Sequence, residues 1–175
     1  MKFSKYKTKG AYHWDWYETV PAYRKRVDRI KNWVKEKDIL DIGAGDGLIT
    51  KIIGAYGIDN EPEAVRLAEE KNAGVFFGDV YCLPQYDNSF EAVLMADVLE
   101  HLEYPEKALK EVWRVVEKYL YITTPPRTDK MSKFHYQEWN PEELKDLVES
   151  QGFKLVDKML IIPEEESIYA KFIKI

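Results

Sequence analysis

The sequence has 175 residues, 45% of them apolar and 33% charged, with a formal net charge of −5. This length corresponds to one domain, at most with a small appendage, and this balance of residue types favours a soluble globular protein over a disordered chain. No apolar stretch is long enough to cross a bilayer, and the amino-terminal residues lack the apolar region of a secretory signal. The single cysteine, Cys82, cannot form an internal disulfide, so we expect a protein of the reducing cytoplasm.

The first 20 residues combine basic and aromatic side chains. Lysines precede an aromatic segment from Tyr12 to Tyr17, and basic residues outnumber acidic ones over residues 1–37. The simplest explanation of the basic bias is that lysine and arginine lie on the solvent face of amphipathic helices. The aromatic side chains have three possible interpretations. They could form a small separate core against the sheet (a satellite core), a patch that binds a partner, or a surface on which single-stranded bases stack.

The spacing of apolar and turn-forming residues predicts alternating helices and strands after residue 20. Pro21 begins a helix with Val27 and Ile30 on one face. Strands are predicted at residues 38–42, 55–59, 74–78, 90–96 and 119–124, helices at 48–53, at 61–72 and from Pro105 and Pro141, and a final strand pair at 154–162 and 167–175. The predicted fold class is α/β: a three-layer α/β/α sandwich on a seven-stranded, mostly parallel sheet that ends in an antiparallel hairpin.

A glycine-rich loop, Asp41-Ile42-Gly43-Ala44-Gly45-Asp46-Gly47, follows the first predicted strand. Glycine lets the backbone turn sharply and approach a ligand without a Cβ in the way. The N–H groups at the start of the next helix favour a carboxylate or a phosphate. The GxGxG spacing differs from the GxGxxG of dinucleotide sites, and the alternative interpretation is a purely structural turn.

Two carboxylates follow the next two predicted strands. Asp59 ends the second strand, where a carboxylate can accept both hydroxyls of an unphosphorylated ribose; capping of the next helix is the alternative. Asp79 follows the third strand and can accept from an adenine amino group, or it can be a turn residue after Gly78. The glycine loop and the two carboxylates, in this order, indicate a nucleoside-containing cofactor more strongly than any one of them alone.

Four segments carry a family resemblance: DIGAGDG, GIDNEPEAV, FFGDVYCLP and the VLEHL run at residues 98–102. Over residues 36–175 the chain resembles class I S-adenosylmethionine-dependent methyltransferases. The resemblance implies their Rossmann-like fold, with the last strand inserted between the fifth and the sixth. It also implies that residues 1–20 form a lid over the cofactor and that residues 21–175 form one methyltransferase domain. The helix usual after the third strand is nearly absent, because only residues 81–89 separate Asp79 from Phe90.

The resemblance also implies a cofactor site. The methionine part of S-adenosylmethionine is expected at the glycine loop, its ribose at Asp59 and its adenine at Asp79. The backbone near Ala96 and Asp97 matches the segment that faces the methionine amino group. The residues expected to bind the cofactor are Asp41, Gly43, Ala44, Gly45, Gly47, Asp59, Asn60, Asp79, Val80, Ala96 and Asp97.

Histidines that follow the fourth and fifth strands are the candidate catalytic residues. Methyl transfer depends mainly on positioning, and a general base assists when the acceptor is a hydroxyl. His101 and His135 suit this role, although a surface location would explain each of them separately. We expect a small-molecule acceptor. An oxygen atom is favoured, because histidines replace the Asn-Pro-Pro-Tyr motif of amino-group methylases, which Thr124-Pro125-Pro126 does not match.

Two other functions fit the same motifs. One is RNA 3′-terminal methylation, which the basic aromatic segment at residues 1–20 would support and the acidic remainder of the chain disfavours. The other is a cofactor-binding partner subunit without activity. The sequence determines neither the acceptor nor the oligomeric state.

Asp97, Glu100 and His101 have the i, i+3, i+4 spacing that places three side chains on one face of a helical turn. His135 follows the fifth strand and could approach the same edge of the sheet. Two carboxylates and two imidazoles suit a divalent ion that polarises an acceptor hydroxyl. The set is similar to that of metal-assisted relatives, with Asp97 where glutamate is usual, whereas many relatives carry the Glu-His pair without a metal.

Overall fold

The computed structural model describes residues 5–175. Residues 1–4 lie outside the described residues, and with them the first part of the predicted lid. The chain divides into two compact units, one ending at Asp79 and the other running from Val80 to Ile175. Among the described residues, no helix is both long and apolar enough to cross a membrane. The division into residues 1–20 and 21–175 stays a prediction.

The described part of the N-terminal unit contains five helices and three strands. They are α1 (Tyr6–Lys9), α2 (Tyr12–Thr19), α3 (Pro21–Trp33), β1 (Ile39–Ile42), α4 (Leu48–Ile53), β2 (Tyr56–Asp59), α5 (Pro62–Glu70) and β3 (Val75–Phe77). The strands are parallel in the order β3-β2-β1, with Ile42 opposite Ile58 and Asp59 opposite Phe77. Their carboxyl ends therefore share one edge, and the glycine loop after β1 lies beside Asp59.

Helix α3 begins at Pro21, as the sequence predicts. Proline is favoured at the first helical position because its φ is already helical and its missing N–H would have no partner there. Val27 and Ile30 are buried on the inner face, whereas Arg24 and Lys25 are exposed. In this helix the basic side chains therefore belong to a solvent face, which was the simplest of the interpretations.

The C-terminal unit contains two α-helices, five strands and two short 3₁₀ helices. They are β4 (Phe90–Ala96), a 3₁₀ helix (Leu99–His101), α6 (Pro105–Val115), β5 (Val116–Thr124), α7 (Pro141–Glu149), β6 (Phe153–Leu155), β7 (Leu160–Ile162), a 3₁₀ helix (Pro163–Glu165) and β8 (Ser167–Lys174). Strands β4 and β5 are parallel, and β8 runs antiparallel between β5 and β6. The predicted α/β class, the mostly parallel pairing and the inserted last strand are confirmed.

The predicted strand at residues 154–162 is instead two strands, so the described residues contain eight strands rather than seven. Leu155 pairs with Phe172 and Leu160 pairs with Tyr169, so the four residues 156–159 lie opposite only two residues of β8, 170 and 171. The extra residues cannot stay in the ladder and form a break between β6 and β7.

Residues 80–89 contain turns and no helix. The Arg114 guanidinium organises this segment by donating to the carbonyl oxygens of Leu83, at 2.9 Å, and Gln85, at 2.7 Å. It also forms an ion pair with Glu111, whose carboxylate accepts the Leu83 N–H at 2.9 Å. A partly buried arginine network thus fixes the loop that replaces the usual helix.

Candidate functional site

The glycine loop is tied to the end of β2 by backbone hydrogen bonds. The N–H groups of Gly43 and Ala44 both donate to the carbonyl oxygen of Ile58, at 2.9 and 3.0 Å. Gly47 has a φ of +76°, and a Cβ there would lie 2.4 Å from the Cβ of Ala73. Both the backbone conformation and the packing therefore require glycine at position 47.

Asp59 joins the loop to the next helix. One carboxylate oxygen accepts the Gly45 N–H at 2.8 Å and the other accepts the Glu61 N–H at 2.8 Å, just before α5. Burial raises the pKa of Asp59, and the hydrogen bonds from these amides oppose that rise. A carboxylate has about four acceptor sites, so Asp59 can cap the helix and still accept ribose hydroxyls. Asn60 lies next to it and is exposed.

Asp41 is directed into the core. It is 2% exposed and accepts the Thr50 hydroxyl at 2.6 Å. Burial raises the pKa of Asp41 to about 7, with a smaller contribution from the charge of Asp59, while the Thr50 hydrogen bond opposes the rise. Its described contact stabilises the packing of β1 against α4, and direct cofactor contact stays a prediction.

The N-terminal helices α1 and α2 lie over the glycine loop. The Asp46 carboxylate accepts the backbone N–H of His13 at 3.1 Å and pairs with its ring Nδ1 at 3.1 Å. The Trp14 indole N–H donates to the Asp46 carbonyl oxygen at 2.9 Å, and Trp14 packs against the buried cluster of Ala68, Ala73 and Val75. Sequence reasoning missed Asp46, because no local pattern marks a contact that spans 33 residues.

Tyr6 occupies the space above Gly45. A Cβ on Gly45 would lie 2.2 Å from the Tyr6 hydroxyl oxygen, so only glycine permits this approach. Burial raises the pKa of Tyr6, and the nearby Tyr12, Asp46 and Asp59 reinforce the rise. The cradle at Gly45 and the carboxylate of Asp59 fit a nucleoside cofactor, and Tyr6 lies where a ligand would contact the loop.

The aromatic side chains of this region pack on one another. The rings of Tyr12 and His13 lie 4.1 Å apart, those of Tyr12 and Trp16 lie 4.8 Å apart, and His13 stacks on Tyr23 at 5.8 Å. This cluster contacts the glycine loop through His13, a contact that either a satellite core or a lid would make. Closure over a cofactor stays a prediction.

Four predicted cofactor residues remain, one in the N-terminal unit and three in the C-terminal unit. Asp79 ends the N-terminal unit and is exposed, whereas Val80 begins the C-terminal unit and is buried. Ala96 is half-buried at the end of β4. Asp97 follows it with a φ of +55°, donates its N–H to the Thr123 carbonyl oxygen at 2.9 Å and accepts the Thr123 hydroxyl at 3.0 Å.

Glu100, His101 and His135 come together in the C-terminal unit. One ligand atom from each of them lies within 4.8 Å of the others, and the two rings are 4.9 Å apart at 74°. Asp97 is not part of this group, which corrects the four-residue set predicted from spacing. The turn begins at Leu99 and is 3₁₀, while Asp97 is still held to β5 by Thr123, so the assumed α-helical face does not form.

Glu138 is a further polar residue of this region. It is 7% exposed and accepts hydrogen bonds from the His135 ring at 2.6 Å and from the Ser132 amide at 3.1 Å. Burial raises the pKa of Glu138, but these hydrogen bonds and one from the Thr128 amide outweigh it, so the pKa lies below its ordinary value. In the sequence, only the spacing of three residues between His135 and Glu138 could have indicated that the two side chains are in contact.

Residues 40–121, from β1 into β5, match the methyltransferase domain family. Over this segment, slightly less than half of the chain, the sequence is similar to methyltransferase domains. A demethylmenaquinone methyltransferase of Thermotoga maritima is 26% identical over 136 residues, which cover 68% of this chain and 59% of that protein. A protein of Methanocaldococcus jannaschii is 29% identical over 97 residues, covering 55% of this chain and 47% of that one. The chain thus spans about half the length of these curated relatives.

The fold of the chain recurs in solved structures. An S-adenosylmethionine-dependent methyltransferase of Thermotoga maritima superposes with a TM-score of 0.79 at 20% identity, covering 97% of this chain and 98% of that one. Magnesium protoporphyrin IX methyltransferase of Synechocystis, solved with bound S-adenosylhomocysteine, gives a TM-score of 0.72 at 15% identity, covering 88% and 84%. At these identities the likeness shows the fold, which confirms the Rossmann-like expectation.

Proposed function

We propose that the protein is an S-adenosylmethionine-dependent methyltransferase that transfers a methyl group to an oxygen atom of a small molecule. The observation that carries the proposal is the hydrogen bond of Asp59 with the Gly45 N–H at 2.8 Å. It brings together the glycine loop and the carboxylate that would accept a ribose. The methyltransferase domain match at residues 40–121 supports the same reading.

The residues of the N-terminal unit would hold the cofactor. The loop from Gly43 to Gly47 would face its methionine part, and Asp59 would accept its two ribose hydroxyls. Asp79, the last residue of this unit, would accept from the adenine amino group. The cofactor contacts expected of Val80, Ala96 and Asp97, which belong to the other unit, stay predictions. When bound, S-adenosylmethionine supplies a methyl group already activated by the sulfonium charge. The task of the chain is to orient the two reactants and exclude water.

The imidazoles of His101 and His135 support an oxygen acceptor. Each ring has its Nδ1 engaged, with the Phe134 carbonyl oxygen at 3.0 Å and with Glu138 at 2.6 Å. In a neutral ring that carries its proton on Nδ1, the lone pair lies on Nε2. The two Nε2 atoms can act on an acceptor hydroxyl directly, as bases, or through a bound ion.

The proposal is tested by incubating the purified protein with methyl-labelled S-adenosylmethionine and a metabolite extract, and separating the products by mass spectrometry. We expect a labelled small molecule and S-adenosylhomocysteine, both lost in Asp59→Ala and retained in Glu69→Ala, a matched carboxylate removal on the exposed face of α5. Transfer of the label to added RNA would replace the small-molecule acceptor. Cofactor binding without any transfer would support the inactive partner subunit instead.

A further inference from the structure

Helix α1 places one aromatic side chain directly on the glycine loop. A Cβ built on Gly45 would overlap the hydroxyl oxygen of Tyr6, so this hydroxyl lies in contact with the backbone of Gly45. Heavy atoms in van der Waals contact are about 3.5–4.0 Å apart, which leaves no room for a ligand atom between them. The Tyr6 side chain therefore covers the surface that Gly45 would otherwise offer to a ligand.

Space is what the loop can offer to a ligand at this point. The backbone N–H groups of Gly43 and Ala44 already donate to a carbonyl oxygen of β2, and the Gly45 N–H donates to Asp59. Because these three amides are engaged within the protein, the loop contributes the close approach that a missing Cβ allows. A ligand on the loop and the Tyr6 hydroxyl thus compete for the same volume above Gly45.

The ring of Tyr6 anchors helix α1. Among the residues of α1, only Tyr6 is not exposed, and none is fully buried. The Tyr6 ring lies 5.3 Å from the Tyr12 ring and 5.9 Å from the His13 ring, and the hydroxyls of Tyr6 and Tyr12 are hydrogen-bonded. Burial raises the pKa of Tyr6, so its phenol stays neutral and covers the loop without bringing a charge there. Displacing one neutral side chain is therefore enough to release the helix.

Helix α2 has its own attachment to the loop, independent of α1. His13 and Trp14 are both hydrogen-bonded to Asp46. Gly10 joins the two helices with a φ of +62° and a ψ of −150°, a conformation that is nearly restricted to glycine, and a Cβ there would meet nothing within 4 Å. Helix α1 can therefore turn away about Gly10 while α2 keeps its contacts.

We propose that Tyr6 is an intramolecular plug, which fills the space above Gly45 and which S-adenosylmethionine must displace, together with helix α1, in order to bind. The inference rests on the proposed function, from which it takes the ligand. It makes the opposite prediction to a lid, because a lid adds contacts to a bound ligand, whereas the plug excludes the ligand until it leaves.

The plug lowers the apparent affinity for the cofactor in proportion to its occupancy. A ligand that binds only the open form has an apparent Kd equal to its intrinsic Kd divided by the open fraction. A loop that is open in about one chain in ten therefore binds about tenfold more weakly than a loop that is always open. Removing the Tyr6 ring should recover this difference.

The test is a calorimetric titration of the parent protein, Tyr6→Ala and Thr8→Ala with S-adenosylhomocysteine, the stable product form of the cofactor. We expect Tyr6→Ala to bind at least about threefold more tightly than the parent, the effect of a plug present in about two-thirds of the chains. Thr8→Ala changes an exposed residue of the same helix and should bind as the parent does. Equal thermal unfolding of the three proteins shows that the variants remain folded.

A second measurement follows helix α1 itself. Lys7 and Lys9 are exposed cleavage sites for trypsin. Saturating S-adenosylhomocysteine should make limited cleavage after these lysines faster in the parent, because the displaced helix loses its anchor. In Tyr6→Ala the cleavage should be fast both with and without the ligand.

Three results would overturn the plug. Equal or weaker binding of S-adenosylhomocysteine by folded Tyr6→Ala would do so and would leave the methyltransferase proposal standing. Slower cleavage after Lys7 and Lys9 on binding would show that α1 closes over the ligand as a lid. If neither the parent nor Tyr6→Ala binds S-adenosylhomocysteine or S-adenosylmethionine, the cofactor assignment fails and the plug fails with it.

Discussion

The carboxylate of Asp59 accepts the backbone N–H of Gly45 at 2.8 Å, so the end of β2 and the glycine loop after β1 are parts of one structure. The same carboxylate accepts the Glu61 N–H at the start of α5. A single side chain therefore fixes the loop, begins a helix and offers its spare acceptor sites to a ribose. This combination explains why replacing Asp59 should affect both stability and ligand binding.

Replacing Asp59 with alanine should weaken S-adenosylmethionine binding about 10- to 100-fold, equal to about 1.4–2.8 kcal/mol. The variant loses the acceptor of two ribose hydroxyls and leaves the Gly45 and Glu61 amides without their carboxylate. Isothermal titration with the cofactor measures the change, and Glu69→Ala is the control. Unchanged affinity in Asp59→Ala would remove Asp59 from the cofactor site.

Binding of S-adenosylhomocysteine should slow amide exchange in residues 12–19. This segment is held to the glycine loop mainly by the contacts of His13 and Trp14 with Asp46, and a ligand beneath it would add contacts. Hydrogen exchange followed by mass spectrometry provides the measurement, with the amides of β5 as an internal reference. Equal protection with and without ligand would assign the segment to a permanent satellite core.

The sequence predicted the elements whose signals are local. The start of α3 was predicted from Pro21, and its inner face from the spacing of Val27 and Ile30. The bounds of β4 were predicted correctly from the apolar run Phe90–Ala96. The pairing of β6 and β7 with β8 was missed in part, because the two-residue excess between them depends on register and not on composition.

The candidate sites were predicted less completely than the fold. Spacing placed Glu100 and His101 together correctly, but it assumed an α-helical turn from Asp97, where the chain has a φ of +55° and a hydrogen bond to Thr123. The contact of Asp46 with His13 depends on tertiary packing between distant segments, for which the sequence has no periodic signal.

Replacing Asn140 with alanine should destabilise the protein by about 1 kcal/mol. Asn140 and Glu143 form a reciprocal capping box at the start of α7, with hydrogen bonds of 3.0 and 2.9 Å between side chain and backbone. For a chain of this length, the melting temperature should fall by about 2–4 °C. Glu142→Ala, in the same first turn, should cost only a few tenths of that energy; an equal loss in both variants would contradict the cap.

Replacing Asp41 with asparagine should make the protein more stable than the parent at pH 8 but not at pH 5. Burial raises the pKa of Asp41 to about 7 in the folded state, from an ordinary value of 3.8. The folded protein therefore holds a proton that the unfolded chain has lost, so the stability from this group is complete below about pH 4 and disappears as the pH rises through 7.

The expected change in the free energy of unfolding due to Asp41 is calculated between pH 5 and pH 8. Over this pH range the parent should lose about 2–3 kcal/mol that Asp41→Asn retains, because the amide stays neutral and can still accept the Thr50 hydroxyl. Urea unfolding of both proteins at pH 5 and pH 8 measures how much the free energy of unfolding changes between the two pH values in each protein.

Thr50→Val is a companion variant. It removes the hydrogen bond that opposes the pKa rise of Asp41, so its free energy of unfolding should depend on pH more steeply than that of the parent. Parallel stability curves for the parent and Asp41→Asn would show that Asp41 ionises in the folded protein as easily as in water.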